Sequence, residues 1–244
     1  MRVAIIQPSY LPWLGYFDLM SRVDTFVYLD DVQFTRRDWR NRNKIRTAEG
    51  WAWMTVPVEQ KGKFAQLLKD TLIDNSSNWR RKHRESLRQH YSRAAHFDSY
   101  FPYFDSIYNK DWKYLLDLCY ETNDYLQKQL GISTEILQSS ALETSASKMD
   151  KILAICEKLK ATVYLSGDAG RDYLVDGEFQ KSRIELQFQD YQHPEYRQRY
   201  PGNISYLSVV DLLFNHGEQS AGIINQSSEE ATGASYQYEP RIGL

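Results

Sequence analysis

The side chains able to do chemistry fall in four polar segments, each just after a short apolar run. The first is Gln7-Pro8-Ser9-Tyr10-Leu11-Pro12-Trp13-Leu14-Gly15-Tyr16. Gln7 can hydrogen bond, while Tyr10, Trp13 and Tyr16 each join a ring face to a polar tip, which suits stacking on a sugar or a base. The second segment begins at Asp30-Asp31 and runs through Arg36, Arg37, Arg40, Asn41 and Arg42. Guanidinium forks recognise phosphate or carboxylate bidentately, and Asp30 or Asp31 could hold a metal, a sugar hydroxyl or an amine. The third is Ser166-Gly167-Asp168-Ala169-Gly170-Arg171-Asp172-Tyr173. Gly167 and Gly170 let a backbone approach a ligand closely, successive N–H groups beside Asp168 could cradle an anion, and Arg171 could clamp it. The fourth, Gln189–Tyr196, carries His193, a candidate general base. Each has a plainer reading: a proline-rich turn, a charge-compensated hairpin, a strand–helix turn and an exposed loop histidine.

Other chemistries lack their residues. There is no G-x-x-x-x-G-K-[ST], G-x-S-x-G, H-E-x-x-H or C-x-x-C. The five histidines lack zinc-ligand spacing, so no metal site is expected. His83, His90 and His96 accompany basic helix residues and are expected on the surface. Asp211 is expected to cap a helix and not to catalyse. Cys119 and Cys156 fall at apolar positions of predicted helices, which reads as two reduced core cysteines.

Positioning these segments needs strands that end where the segments begin. Val3–Ile6 is a buried strand stopped by Gln7-Pro8, and Thr25–Leu29 is a second strand. Leu14–Arg22 between them reads as a short helix. Trp39–Arg46 and Trp51–Val58 flank Glu49-Gly50 as a hairpin whose polar first strand needs one wet or ligand-facing side. Helices are predicted over Ser77–Ala94, Phe97–Ile107 and Trp112–Leu130, the last capped by Gly131. Thr134–Leu137 is a further candidate strand. Ser147–Lys160 is amphipathic, with Ser147 and Asp150 in capping-box spacing. Strands Thr162–Leu165 and Ile184–Phe188 and helix Ser208–Asn215 follow. Alternating strands and helices predict a mainly parallel sheet, with ligands gathered at the carboxyl ends of its strands. The expected organisation is a single α/β domain over residues 1–225, with a cap-like helical segment over 75–130 and a polar tail over 226–244.

Composition is that of an ordinary globular chain, with 42% hydrophobic and 25% charged among 244 residues. A net charge of −2 argues against general nucleic-acid binding. The average hides two basic stretches, Arg36–Arg46 with six Lys/Arg and Arg80–Arg93 with six more. No apolar run approaches the roughly 20 residues of a membrane span, and Met1–Gln7 reads as a strand and not a signal peptide. A cytoplasmic address is expected.

The layout of Gln7–Tyr16 resembles the H-x-G-H loop of nucleotidyltransferases and pantothenate synthetases, which follows the first strand of a Rossmann-like sheet. Trp13-Leu14-Gly15-Tyr16 occupies its place, and both histidines are missing. Indole and phenol cannot carry the charge those histidines stabilise, so the likeness extends to the fold and not to adenylyl transfer. The expected fold class is therefore α/β: a mainly parallel Rossmann-like (nucleotidyltransferase-like) sheet with a β-hairpin insertion and a helical, aromatic-rich middle.

The blocks QPSYLPWLGYFDLMSRVDTFVYLDDVQFTRRDWRNRNKI, YLSGDAGRDYL, FQDYQHPEY and ISYLSVVDLLFNHG, spread over most of residues 1–224, resemble the WbqC-like family. That resemblance implies a place beside bacterial surface-polysaccharide (O-antigen) genes and a transferase that attaches glycine to a sugar. Under it, the arginines bind the phosphate or carboxylate of a nucleotide- or lipid-linked sugar. Tyr10, Trp13 and Tyr16 stack on sugar or base, and Asp30, Asp31 or His193 positions or deprotonates the acceptor. The activated glycyl donor could be an adenylate made from ATP and magnesium, an aminoacyl-tRNA or a carrier thioester. Two other readings stay open: a non-catalytic binder of nucleotide sugar or glycan, and an RNA-binding module using the basic stretches and aromatics.

Overall fold

Short apolar runs bounded by Pro, Gly and Asp become strands buried on both faces, as a parallel sheet covered by helices requires. A computed structural model describes residues 1–144 and 146–230. Strand β1 (Arg2–Ile6) leads through α1 (Leu14–Ser21) to β2 (Thr25–Tyr28). A hairpin of β3 (Arg42–Thr47) and β4 (Gly50–Thr55) follows. Three helices come next: α2 (Trp79–Tyr91), α3 (Phe97–Asn109) and α4 (Leu115–Gln129). Then β5 (Glu135–Gln138), α5 (Lys148–Lys158), β6 (Val163–Ser166), α6 (Asp176–Lys181) and β7 (Glu185–Phe188) alternate. Helices α7 (Val209–His216) and α8 (Ser220–Glu230) complete the described chain.

The large sheet has the order β5-β2-β1-β6-β7, with every neighbouring pair parallel. This is the doubly wound, Rossmann-type order, in which the chain winds outward first to one side of β1 and then to the other. Side chains alternate across it with a period of two. Ala4, Phe26 and Leu165 join the larger core, with residues of α1, α3, α4 and α7. Val3, Ile5, Val27 and Tyr164 join the smaller core with Ile152, Ile155 and Phe179, under α5 and α6. The α/β class, the parallel sheet, the hairpin insertion and the helical, aromatic middle are as the residues predict.

Local differences have local causes. The hairpin's first strand starts at Arg42 and not at Trp39, because the Arg40 carbonyl is already taken by the Tyr10 N–H at 3.1 Å. Ser147 stands at the N-cap of α5 but its hydroxyl makes no cap bond, whereas the Ser208 hydroxyl does cap α7, accepting from the Val210 N–H at 3.3 Å. Gly131, at φ +66°, ends α4 in the left-handed conformation that favours glycine. Helix α8 runs into the stretch expected as a tail, reaching Glu230; residues 231–244 lie outside the described residues. Among the described residues no helix is long and apolar enough to cross a membrane.

Candidate functional site

In a doubly wound sheet the crevice opens where the winding reverses, outside the carboxyl ends of the two strands at that point. Here those strands are β1 and β6. The segments leaving them are Gln7–Tyr16 and Gly167–Tyr173, two of the four picked out by residue type.

Arg40 enters this crevice from the approach to the hairpin. Its Nη1 donates to the Gln7 carbonyl at 3.1 Å and to the Ser9 hydroxyl at 3.0 Å. Its Nε lies 3.4 Å from Asp38 Oδ2, and only 16% of the side chain is exposed. Burial pushes the Asp38 carboxyl up, but Arg40, the Thr35 hydroxyl and the Trp39 N–H more than offset this and hold it below the usual carboxylate range. The field of Arg40 also reaches the Tyr173 phenol on the β6 side, opposing the upward push of burial. One guanidinium is therefore fixed at the β1 lip of the switch point, held by two neutral acceptors and one carboxylate.

The segments after β6 and β7 join each other and the first. Asp168 Oδ1 accepts the Asp190 N–H at 3.0 Å, and Arg171 pairs with Asp190 while lying over the Phe188 ring at 4.1 Å. Burial is the main cause that raises the Asp168 carboxyl. A Cβ on Gly170 would fall 2.1 Å from the Ser166 hydroxyl, whereas one on Gly167 would meet open space. His193 stacks on Trp13 with ring centroids 6.4 Å apart and lies 5.3 Å from the Tyr206 ring. Its Nδ1 donates to the Pro194 carbonyl at 2.9 Å. That bond sets the tautomer and leaves the Nε2 lone pair buried with no hydrogen-bond partner. Burial lowers the His193 pKa, so the ring is a neutral base.

The remaining expected residues are placed elsewhere. Asp30 Oδ1 accepts from the Ser139 hydroxyl and the Ser140 N–H at 3.0 and 2.9 Å, and Oδ2 from the Ser140 and Tyr120 hydroxyls at 2.7 and 3.2 Å. Asp31 is paired with buried Lys151 at 2.6 Å. Burial raises its carboxyl, but Lys151 and Ser139 outweigh that and leave it lowered. Among the described residues no three His, Cys, Asp or Glu side chains are grouped to hold a metal. Tyr10 is fully buried, and its hydroxyl lies 2.9 Å from His83 Nδ1 and 2.5 Å from the Tyr108 hydroxyl. Tyr16 is buried as well, edge-on to the Phe26 and Phe17 rings at 5.3 and 5.7 Å. Arg36 lies over the Phe64 ring at 4.6 Å and Arg42 over Trp53 at 4.2 Å, its Nη2 donating to the Arg37 carbonyl. Asn41 Nδ2 donates to the Val56 carbonyl at 2.8 Å. Within the basic run, Arg40 donates to Gln7 and Ser9 of the segment after β1, and Asn43 Nδ2 donates to the Leu11 carbonyl of the same segment at 2.7 Å.

Several partners escape a reading by type. Lys151, Ser139 and Ser140 carry no distinguishing sequence signal, and Asp38 reads as the lone acid in a basic run. His83 corrects the surface expectation: it is 6% exposed, because Nε2 donates to the Thr55 carbonyl at 3.1 Å and Nδ1 then accepts from Tyr10. Beside Asp30, a concavity of about 320 Å³ opens between α4 and edge strand β5, lined by Tyr28, Tyr120, Asp124, Gln127 and Gln138. Its phenols, amides and carboxylate match the groups that hold sugar hydroxyls.

Comparison with known proteins gives two matches of different kinds. A family model described as the WbqC-like protein family matches residues 7–223. A relative from Mycobacterium tuberculosis, named only as an uncharacterized protein, is 38% identical over 221 residues, covering 90% of this chain and 95% of the relative. No solved structure matches.

Proposed function

This chain belongs to the WbqC-like protein family, and on that premise we propose that it is a transferase that attaches a small acyl group, glycyl, to a nucleotide- or lipid-linked sugar of bacterial surface polysaccharide. The observation that carries the reading is Arg40, a nearly buried guanidinium held at the switch point by Gln7, Ser9 and Asp38. Such a fork fits a phosphate or carboxylate, and burial strengthens the pairing. In the transfer step the acceptor's amine or hydroxyl forms a bond to the acyl carbon. The bond from that carbon to the donor's leaving oxygen or sulfur breaks, and the acceptor's proton passes to a base at the rim. We assign that role to Asp168 or to His193, which stand on the segments that meet at the crevice. Asp30 and Asp31 act as supports in this reading, since structural donors occupy their oxygens.

A non-catalytic sugar-nucleotide binder is the second reading, favoured by that same engagement of both carboxylates. The test is binding and turnover on purified protein, with ATP and magnesium, glycyl-tRNA and nucleotide sugars. Saturable binding with glycyl transfer, both lost in Arg40→Ala, is the expected result. Binding without turnover across all donors selects the second reading, and ligand binding unaffected by Arg40→Ala removes the site from consideration.

A further inference from the structure

The outer face of the hairpin is open at Trp51 and Trp53, while Arg46 on the same face is buried and donates to the Pro201 and Gly202 carbonyls. Trp51 and Trp53 are 45% and 36% exposed, among the largest apolar exposures of the described chain. The register places them opposite Arg46 and Lys44, with Arg42 opposite Thr55, so all share one side of the sheet. Lys44 Nζ lies 4.3 Å from the Trp51 ring centre and 5.3 Å from that of Trp53, and the Arg42 guanidinium is 4.2 Å from Trp53. Trp39 extends the row, its ring 5.3 Å from that of Trp53, and its backbone N–H donates to Asp38, the carboxylate paired with Arg40. Neither strand carries an acidic residue. The opposite side of the hairpin is core: Asn43, Ile45 and Met54 are buried.

We propose that this face binds a single-stranded polynucleotide, with bases stacked on Trp51, Trp53 and Trp39 and phosphates on Lys44 and Arg42, running toward Arg40. Rings alternating with cations on a flat sheet face supply both things a nucleotide strand offers, a π-surface and a charged backbone. A neutral glycan would use the rings but leave the cations unmatched. An anionic bilayer would use the cations but favours further aliphatic side chains on the same face, and here Ile45 and Met54 are buried on the other side. The binding stands without the transfer reading; only the further step, delivery of an RNA-borne acyl donor to Arg40, rests on it.

The test is titration of the full chain with a short single-stranded RNA of mixed sequence, read by tryptophan quenching and by anisotropy of labelled RNA. Duplex RNA, a neutral oligosaccharide and vesicles of anionic phospholipid serve as the other arms. Single-stranded RNA should quench the emission, with a log–log salt slope of about −1.4 for two phosphates neutralised at about −0.7 each. Trp53→Ala should weaken binding at least about 5-fold at an unchanged melting temperature. Trp53→Phe should keep most of it, and Lys44→Ala should flatten the slope by about 0.7. RNA binding indifferent to Trp53→Ala, equal binding of duplex, or response to vesicles or oligosaccharide but not to RNA would each overturn the proposal. Because binding is read without turnover, a failed transfer assay leaves this result standing, and the reverse also holds.

Discussion

Replacing Asp211 with Asn tests the buried polar tie beneath the hairpin. Asp211 has no exposed surface, and its two oxygens accept from the Tyr91 and Tyr196 hydroxyls at 2.7 and 2.8 Å. The Tyr91 oxygen in turn accepts the Arg46 N–H at 2.8 Å, so one carboxyl links α2, β3 and α7. Burial raises this carboxyl to about 6, although both phenols and Arg46 pull the other way. In the unfolded chain it titrates near about 3.9. Between those values the folded state holds a proton the unfolded state has lost, so the group's contribution is fully present below about pH 4 and disappears as pH rises through 6. A gap of about 2 units at about 1.4 kcal/mol each amounts to about 3 kcal/mol, or about 6–12 °C of melting temperature for a chain of this size. Asn cannot ionise, yet its carbonyl can accept from one phenol while its amide donates to the other. The assay is thermal or urea unfolding of Asp211→Asn and the parent chain from pH 4 to 8, plotted as the difference. The variant should gain about 3 kcal/mol on the parent between pH 4 and 7. A flat difference would refute the buried-acid account, and a variant that falls further behind as pH rises would reverse its sign.

Lys151→Met should cost about 1–3 kcal/mol in urea unfolding, because it leaves the part-buried Asp31 carboxylate without its cation, and adding Asp31→Asn should recover most of that loss. His83 carries the opposite pH dependence to Asp211. Burial lowers its pKa to about 3, so its contribution is present above about pH 6.5 and is lost as pH falls toward 3, a span worth about 5 kcal/mol. In His83→Gln, which cannot take the proton, the acid side of the stability profile should be flatter; an unchanged acid limb would place the titration elsewhere. Arg40→Ala should weaken binding of a nucleotide sugar by at least about 10-fold in calorimetry, since a charge-assisted hydrogen bond is worth about 1.5–3 kcal/mol. It should also raise the Asp38 carboxyl as its main compensating charge leaves, seen as a shift in its carboxylate NMR titration; equal affinity in parent and variant would clear Arg40 of ligand contact.

The sequence by itself determined the parallel strands and the edge on which the polar segments gather. Val3-Ala4-Ile5 and Thr25–Tyr28 are continuous apolar or β-branched runs, and only strands buried on both faces tolerate that. Parallel strands all point their carboxyl ends the same way, so the segments after β1, β6 and β7 had to meet on one edge. Trp13, Tyr191 and His193 do meet there, as do Asp168, Arg171 and Asp190. What the tertiary structure decided is which polar side chain does what. Arg40 and Asn41 are adjacent and equally polar, yet the first holds the lip of the crevice and the second the Val56 carbonyl. Asp30 finds Ser139 and Ser140 across more than a hundred residues, and Lys151 reaches Asp31 across a similar span. Tyr10, for all its position in a candidate ligand loop, turns inward to His83. The reason is physical: apolar periodicity reports a segment's own burial, a local property. The partner of a buried polar group is whichever donor or acceptor the distant chain leaves unmatched at that point, and that exists only once the strands have taken their order.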